Sequence, residues 1–154
     1  MNKGLKIGDD IPEVTLKDQE GHLIDLTAFK GKHSLVVYFY PKDDTPGCTL
    51  EACSFRDSYD EFEEAGAKVI GISGDSVGSH SRFASRHGLN FMLLSDINRV
   101  AEKEFGVPRN LLGLLPGRVT YVFNKEGKLV STFSSAVKTT RHIKESLKAL
   151  SACQ

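Results

Sequence analysis

The chain has 154 residues, of which 40% are hydrophobic and 26% are charged, a composition typical of one globular domain spanning residues 1–154. The 20 lysines and arginines balance the 20 aspartates and glutamates, so the net charge gives no attraction to nucleic acid or to an anionic membrane. No apolar run approaches the roughly 20 residues that a membrane-spanning helix needs. We therefore expect neither nucleic acid nor a membrane among the partners.

Stretches with the hydrophobic pattern of a strand alternate along the chain with stretches that have the pattern of a helix. This order indicates an α/β fold with a mixed central sheet, helices on both faces and an N-terminal β-hairpin. In chain order the predicted elements are a hairpin of residues 13–16 and 22–26, a buried strand 34–40, a helix 48–65, a strand 68–73, a helix 76–87, a strand 91–96, a short helix 98–105, a strand 118–124 that turns back into 128–133, and a helix 139–152.

The cysteine content favours a thiol protein of a reducing compartment. Cys48, Cys53 and Cys153 are too few for a disulfide scaffold. Residues 1–12 contain no recognisable targeting pattern. We therefore expect a cytoplasmic protein, although a mature organellar form that has lost its presequence would have the same sequence.

Nothing in the chain indicates a cofactor. The five histidines are scattered without metal-ligand spacing, and no glycine-rich phosphate loop is present. A C-x-x-C pair is also missing, which argues against a zinc ribbon and against thioredoxin-type disulfide exchange. We expect no metal and no organic cofactor.

Cys48 lies where the buried strand gives way to a helix. Unpaired backbone N–H groups and the positive end of the helix dipole act on this first turn, and both favour the reactive thiolate. Thr45 adds a hydroxyl three residues earlier, and Pro41 and Gly47 shape the loop. A buried, inert cysteine is the plain alternative, and the composition of the loop argues against it.

The run YPKDDTPGCTLEAC, residues 40–53, resembles the active-site motif of the peroxiredoxins, and more narrowly that of the bacterioferritin-comigratory or Q-type subfamily. Further matching blocks extend the similarity from about residue 5 to 150. The resemblance implies a thioredoxin-like fold and thiol-dependent reduction of hydrogen peroxide and organic hydroperoxides. It also implies recycling by thioredoxin or a similar dithiol.

The resemblance assigns Pro41, Thr45, Cys48 and Arg118 to the active site, because each stands at the matching motif position. It implies that Cys48 is the nucleophile and that Arg118 places a positive charge beside its sulfur. It also implies that the Thr45 hydroxyl bonds the sulfur and the incoming peroxide, while Pro41 shields the pocket. From the residues alone, Arg118 is also compatible with a surface position and Thr45 with a helix N-cap.

The resemblance suggests Cys53 as the resolving cysteine. An ideal helix separates Cα atoms five residues apart by about 8.7 Å and turns their side chains about 140° from each other. A disulfide needs Cα atoms within about 7 Å, so we predict that oxidation unwinds at least residues 48–53. The alternatives are a core cysteine at Cys53, and for Cys153 an exposed thiol without a role, another resolving partner or an intermolecular disulfide.

An intramolecular disulfide needs no second subunit, so a monomer is the simplest expectation. Two rival functions use the same cysteine: a peroxide-sensing redox switch that changes a partner surface on oxidation, and a general disulfide oxidoreductase. Slow recycling by thioredoxin would favour the switch, and reduction of insulin would favour the oxidoreductase.

Overall fold

The strands and helices below belong to residues 4–110, 115–135 and 138–152, which the computed structural model describes. The strands are Thr15–Asp18 (β1), Leu23–Asp25 (β2), Ser34–Phe39 (β3), Ala67–Ser73 (β4), Met92–Ser95 (β5), Arg109–Asn110 (β6), Leu115–Pro116 (β7), Val119–Phe123 (β8) and Leu129–Ser134 (β9). The α-helices are Pro46–Asp57 (α1), Tyr59–Glu64 (α2), Val77–His87 (α3), Val100–Phe105 (α4) and Arg141–Ala152 (α5), and Leu26–Phe29 adds a turn of 3-10 helix. Within these ranges no helix has the length and apolar content that crossing a bilayer requires.

Seven strands form one mixed sheet in the order β2-β1-β5-β4-β3-β8-β9. β4 runs parallel to β3 on one side and to β5 on the other, and the remaining neighbours pair antiparallel. The central strands β3 and β4 are buried along almost their whole length, as expected for parallel strands covered on both faces. The predicted mixed sheet with an N-terminal hairpin at one edge is confirmed.

Alternate residues of β3 point into two separate hydrophobic layers, because successive side chains of a strand point to opposite faces. Val36 and Tyr38 pack with residues of α1, α2, α3 and α5. Val37 and Phe39 pack with residues of α4 and the 3-10 turn. The predicted helices on both faces are therefore confirmed, and β3 leads directly into the loop that precedes α1.

The single helix predicted over 48–65 is wrong in two respects. The chain forms two helices there, which meet at Ser58. The Ser58 N–H closes the last turn of α1, and serine favours helix ends because its hydroxyl competes with the backbone for hydrogen bonds. In addition, α1 begins at Pro46, two residues earlier than predicted, because proline suits the first position of a helix.

The first strand of the hairpin also differs from the predicted 13–16 and instead spans Thr15–Asp18. The Asp18 carboxylate accepts hydrogen bonds from the N–H groups of Glu20 and His22, both at 2.9 Å. Gly21 has a φ of 84°, a left-handed conformation that glycine adopts without strain. The turn therefore begins at Asp18, and the strand continues up to it.

Gly71 in β4 is expected to tolerate no side chain. A Cβ atom at this position would lie 2.8 Å from Cζ of Tyr38, whose ring is fully buried. We expect Gly71→Ala to lower the free energy of unfolding by about 1–3 kcal/mol, the usual cost of overpacking a core. Denaturant unfolding followed by circular dichroism measures this change.

The matched control for Gly71 is Gly78 in α3. A Cβ there would meet the flexible end of Arg82 at 3.4 Å and Ser76 Oγ at 3.9 Å, and alanine is the better helix former by about 1 kcal/mol. Gly78→Ala should therefore leave stability unchanged or raise it. Equal unfolding midpoints for the two variants would contradict the close packing of Tyr38 against β4.

Candidate active site

Cys48 is the third residue of α1 and is buried, with 1% of its surface exposed. Thr45 precedes the helix as its N-cap in extended conformation, and its carbonyl accepts the first helical bond from Thr49 N–H at 2.8 Å. The N–H groups of Gly47 and Cys48 precede this first bond and have no partner within the helix. The structure therefore places Cys48 in the first turn, where the helix dipole favours a thiolate.

Arg118 contacts the sulfur directly. Its Nη2 donates a hydrogen bond to Cys48 Sγ at 3.3 Å, and its Nη1 donates to Glu51 Oε1 at 2.7 Å. Arg118 reaches this position because it immediately precedes β8, whose Val119 pairs with Phe39 at the end of β3. Antiparallel pairing of two distant strands thus brings the guanidinium to the loop before α1.

The Arg118 side chain is buried, with 7% of its surface exposed. Burial by itself lowers the pKa of its guanidinium, but the charges of Glu51 and Cys48 and the hydrogen bonds to them outweigh burial, and the net shift is upward. The group therefore stays positive. A fixed positive charge that donates a hydrogen bond from Nη2 favours an anion on the sulfur.

Thr45 departs from the predicted contact. Its Oγ1 donates to the carbonyl oxygen of Lys42 at 2.9 Å, and among the described residues no hydrogen bond joins it to Cys48 Sγ. The carbonyl of Lys42 is only three residues earlier in the loop, and a short side chain such as that of Thr45 can reach it. Its lone pairs still offer an acceptor, and contact with a bound peroxide stays a prediction.

Pro41 is half-buried at the start of the same loop. It lies in the wall of an open cavity of about 270 Å³ together with Lys42, Asp75 and Ile97. Cys48 is not part of this wall, so the cavity is separate from the reactive sulfur. The shielding role expected of Pro41 stays a prediction.

Cys53 and Cys48 are both free thiols in one continuous helix. Cys53 is half-buried, whereas Cys48 is buried. Because α1 is intact across both residues, the ideal-helix separation of about 8.7 Å applies and excludes a direct bridge in this conformation. Cys153 lies outside the described residues.

A buried network that the sequence did not reveal holds the loop before Cys48. The Asp43 carboxylate accepts hydrogen bonds from Tyr40 Oη at 2.6 Å and Ser79 Oγ at 2.8 Å, and it lies 2.7 Å from His80 Nδ1. Burial raises the pKa of Asp43, but the nearby His80 and these hydrogen bonds lower it by more, so the net shift is downward. The loop is thereby tied to α3.

The same network supplies a group of atoms that could ligate a metal. Ligand atoms of Asp43, Asp75 and His80 lie within 4.8 Å of one another. However, the Asp75 carboxylate already accepts from Asp43 N–H at 2.9 Å and from Ser73 Oγ at 2.6 Å. Both bonds end on Oδ2 of Asp75, and the Asp43 carboxylate is likewise hydrogen-bonded within the protein, so we assign the cluster a structural role.

Glu51 and His142 are the other residues that sequence reasoning missed. Both are fully buried, and Glu51 Oε2 lies 3.5 Å from His142 Nδ1 without a hydrogen-bond partner. Burial raises the pKa of Glu51 to about 7, although Arg118 acts in the opposite direction. The three-residue step from Cys48 places Glu51 on the same helix face and could have indicated it, but no sequence pattern pointed to His142.

Comparison with known proteins agrees with this geometry. The profile described as the AhpC/TSA family matches residues 7–132. The chain is 53% identical to chloroplastic Peroxiredoxin Q of Sedum lineare over 143 residues, which are 93% of this chain and 76% of that protein.

Two solved structures are similar over nearly the whole chain. Peroxidoxin BcpB from Mycobacterium tuberculosis superposes with a TM-score of 0.90 at 37% identity, covering 97% of this chain and 99% of that one. The bacterioferritin comigratory protein of Xanthomonas campestris, whose structure concerns alkyl peroxide reduction, gives a TM-score of 0.83 at 36% identity, covering 94% and 98%. The predicted thioredoxin-like fold is confirmed.

Proposed function

Because the chain belongs to the AhpC/TSA family, we propose that Cys48 is the nucleophile through which it reduces hydrogen peroxide and organic hydroperoxides. The protein is a thiol-dependent peroxidase of the Q type, as its similarity to Peroxiredoxin Q indicates. The observation that carries the assignment to Cys48 is the 3.3 Å hydrogen bond from Arg118 to a sulfur in the first turn of a helix. Cys53 makes no such contact with a buried cation among the described residues.

The first half-reaction is a displacement at oxygen. The Cys48 thiolate attacks the terminal oxygen of the hydroperoxide, an S–O bond forms, and the O–O bond breaks. The leaving oxygen takes a proton and departs as alcohol or water, while Cys48 becomes a sulfenic acid. Arg118 and the free N–H groups of the first turn stabilise the charge that develops on the oxygens, and Thr45 offers an acceptor to the peroxide O–H.

The second half-reaction requires α1 to open. Cys53 attacks the Cys48 sulfenic sulfur, an S–S bond forms, and water leaves. The end of α1 is anchored, because the Phe55 ring stacks on Tyr38 at 4.5 Å between centroids and Arg56 Nη1 donates to His87 O at 2.6 Å. We therefore place the unwinding at residues 46–53. An external dithiol of the thioredoxin type then reduces the disulfide.

The cycle is tested by mass measurement after one equivalent of peroxide is added to the reduced protein. We expect the loss of two hydrogens and a Cys48–Cys53 cross-link in the peptide map. We also expect amide exchange of residues 46–53 to accelerate in the oxidised form, while residues 54–57 keep their protection. The matched control is Cys53→Ser, which should gain one oxygen on Cys48 without a cross-link.

Two outcomes would contradict the resolving step. A bridge from Cys48 to Cys153, or a stable sulfenic acid in the unmodified protein, would remove Cys53 from the cycle. Equal amide exchange in the reduced and disulfide forms would exclude the unwinding of α1. None of these three outcomes would alter the assignment of Cys48.

Assembly follows from the intramolecular disulfide, and location from the cysteine content. Because the disulfide lies within one chain, we propose a monomer made of one domain over residues 1–154. For location we propose the cytoplasm, because the cysteine content is too low for a disulfide scaffold and suits a reducing compartment. The plant relative is chloroplastic, and a mature organellar form is the alternative.

A further inference from the structure

Two acidic groups of α1 share one buried cation. Cys48 Sγ and Glu51 Oε1 accept hydrogen bonds from different nitrogens of the same Arg118 guanidinium, at 3.3 Å and 2.7 Å. If both were ionised, the site would hold two negative charges against one positive charge with almost no solvent contact. Burial of such an excess charge is strongly unfavourable unless a proton neutralises it.

The second oxygen of Glu51 shows where that proton fits. His142 Nε2 lies 3.0 Å from the carbonyl oxygen of Ser135, which can only accept, so Nε2 carries a hydrogen. In the neutral ring Nδ1 then has a lone pair, which accepts from the Thr120 hydroxyl at 2.7 Å, and Glu51 Oε2 lies 3.5 Å from the same nitrogen. An ionised carboxylate oxygen beside this electron-rich nitrogen, with no donor of its own, is repelled, whereas a neutral carboxylic acid is not.

We propose that one proton is shared between Cys48 and Glu51, and that His142 is the positioning residue that disfavours an ionised Glu51 and so keeps the proton on the carboxyl when Cys48 is a thiolate. This inference rests on the proposed role of Cys48. The proton that leaves the sulfur is balanced by one on Glu51, so the site keeps a single negative charge. The Cys48 thiolate is then the one anion of this pair that the Arg118 charge stabilises.

The surroundings of Glu51 support this assignment from each element that packs on it. Arg118 lies ahead of β8, Cys48 on α1, Tyr38 on β3 and His142 on α5, and Arg118 is the one group among these four that carries a permanent positive charge. Burial raises the pKa of Glu51 to about 7 and lowers that of His142 to about 4. The extra proton therefore resides on the carboxyl and not on the ring.

A rise in pH should weaken the stabilisation of the Cys48 thiolate by Arg118. As the pH rises through about 7, Glu51 loses its proton, a second anion appears beside the thiolate, and Arg118 is divided between the two. Glu51→Gln is a neutral isostere of the protonated form, and its amide oxygen can still accept from Arg118 Nη1. In Glu51→Gln no second anion appears, so Cys48 should keep its full share of the Arg118 charge as the pH rises.

The experiment measures the rate constant of Cys48 oxidation by hydrogen peroxide in a Cys53→Ser background, where the resolving step is absent. We expect the ratio of the Glu51→Gln rate constant to the parent rate constant to rise severalfold between about pH 6 and about pH 8.5. At the higher pH, Glu51→Gln should react at least as fast as the parent. If Glu51→Gln is slower throughout, and most so at the higher pH, Glu51 acts as an ionised partner that orients Arg118, and the proposal is overturned.

A second readout is independent of activity. The infrared carbonyl band of a protonated carboxyl should be present in the reduced protein at about pH 6 and absent in Glu51→Gln. It should titrate at lower pH in Cys48→Ser, since a serine hydroxyl stays neutral, and in His142→Asn, whose amide can donate to Oε2. A band that does not respond to either variant would overturn the coupling.

These outcomes separate the two hypotheses. Retention of peroxide reduction by Cys48→Ser would remove the proposed function itself. Loss of activity in Cys48→Ser together with an unchanged pH profile in Glu51→Gln would remove only the proton coupling.

Discussion

Replacing Cys48 by serine is expected to abolish peroxide turnover, with a loss of at least about three orders of magnitude. A serine hydroxyl stays protonated near neutral pH even beside Arg118, and its oxygen cannot cycle through a sulfenic acid and a disulfide. The fold should survive, because serine is close in size to the cysteine that it replaces in the first turn of α1. Peroxide consumption coupled to a thioredoxin system measures the loss.

Cys53→Ser is the matched control for this variant. It removes the other described thiol of α1, and it should consume one equivalent of peroxide per chain before it stops. Cys48→Ser should consume none. Substantial turnover by Cys48→Ser, with an unfolding midpoint equal to that of the parent, would reject Cys48 as the nucleophile.

Replacing Arg118 by methionine has the second-largest expected effect, a fall of about 10²–10³-fold in the rate of Cys48 oxidation. Methionine keeps much of the buried aliphatic length but removes the charge and both donors, to Cys48 Sγ and to Glu51 Oε1. Stopped-flow measurement of the single oxidation step isolates the effect from recycling. The oxidation rate of Arg118→Lys should lie between those of the parent and Arg118→Met, because one ammonium keeps the charge but cannot reproduce the planar fork of the guanidinium.

Loss of stability could imitate loss of rate in Arg118→Met, since Glu51 would lose its buried partner at a cost of about 1–3 kcal/mol. The double variant Arg118→Met with Glu51→Gln separates the two effects. Removal of the buried acid should restore stability but not the rate. Recovery of the rate in the double variant, or a rate in Arg118→Met within tenfold of the parent, would show that Arg118 acts through the fold and not on the peroxide.

The sequence by itself determined the features that depend on neighbouring residues. Cys48 was predicted at a helix start because a buried strand, a loop with two prolines and an amphipathic helix follow one another within about 30 residues, and hydrophobic periodicity reports such local order. The mixed sheet and the helices on both faces followed from the same alternation. The misplaced ends at Ser58 and Asp18 arose because side-chain hydrogen bonds decide where an element stops.

The resemblance to a family, and not any local pattern, indicated Arg118. Seventy residues separate it from Cys48, and the tertiary reason for their contact is the pairing of Val119 with Phe39 across β3 and β8. Spacing along the chain contains no record of such a register. The contact is visible only when the strand order is known.

The groups that tune the site were decided by tertiary structure alone. No sequence pattern singled out Glu51, yet one of its oxygens lies beside His142 of α5, 91 positions away in the chain. Asp43 likewise finds His80 on α3, 37 residues on. Their protonation depends on burial and on the charges that other elements bring close, and these quantities do not exist until the sheet and its helices have assembled.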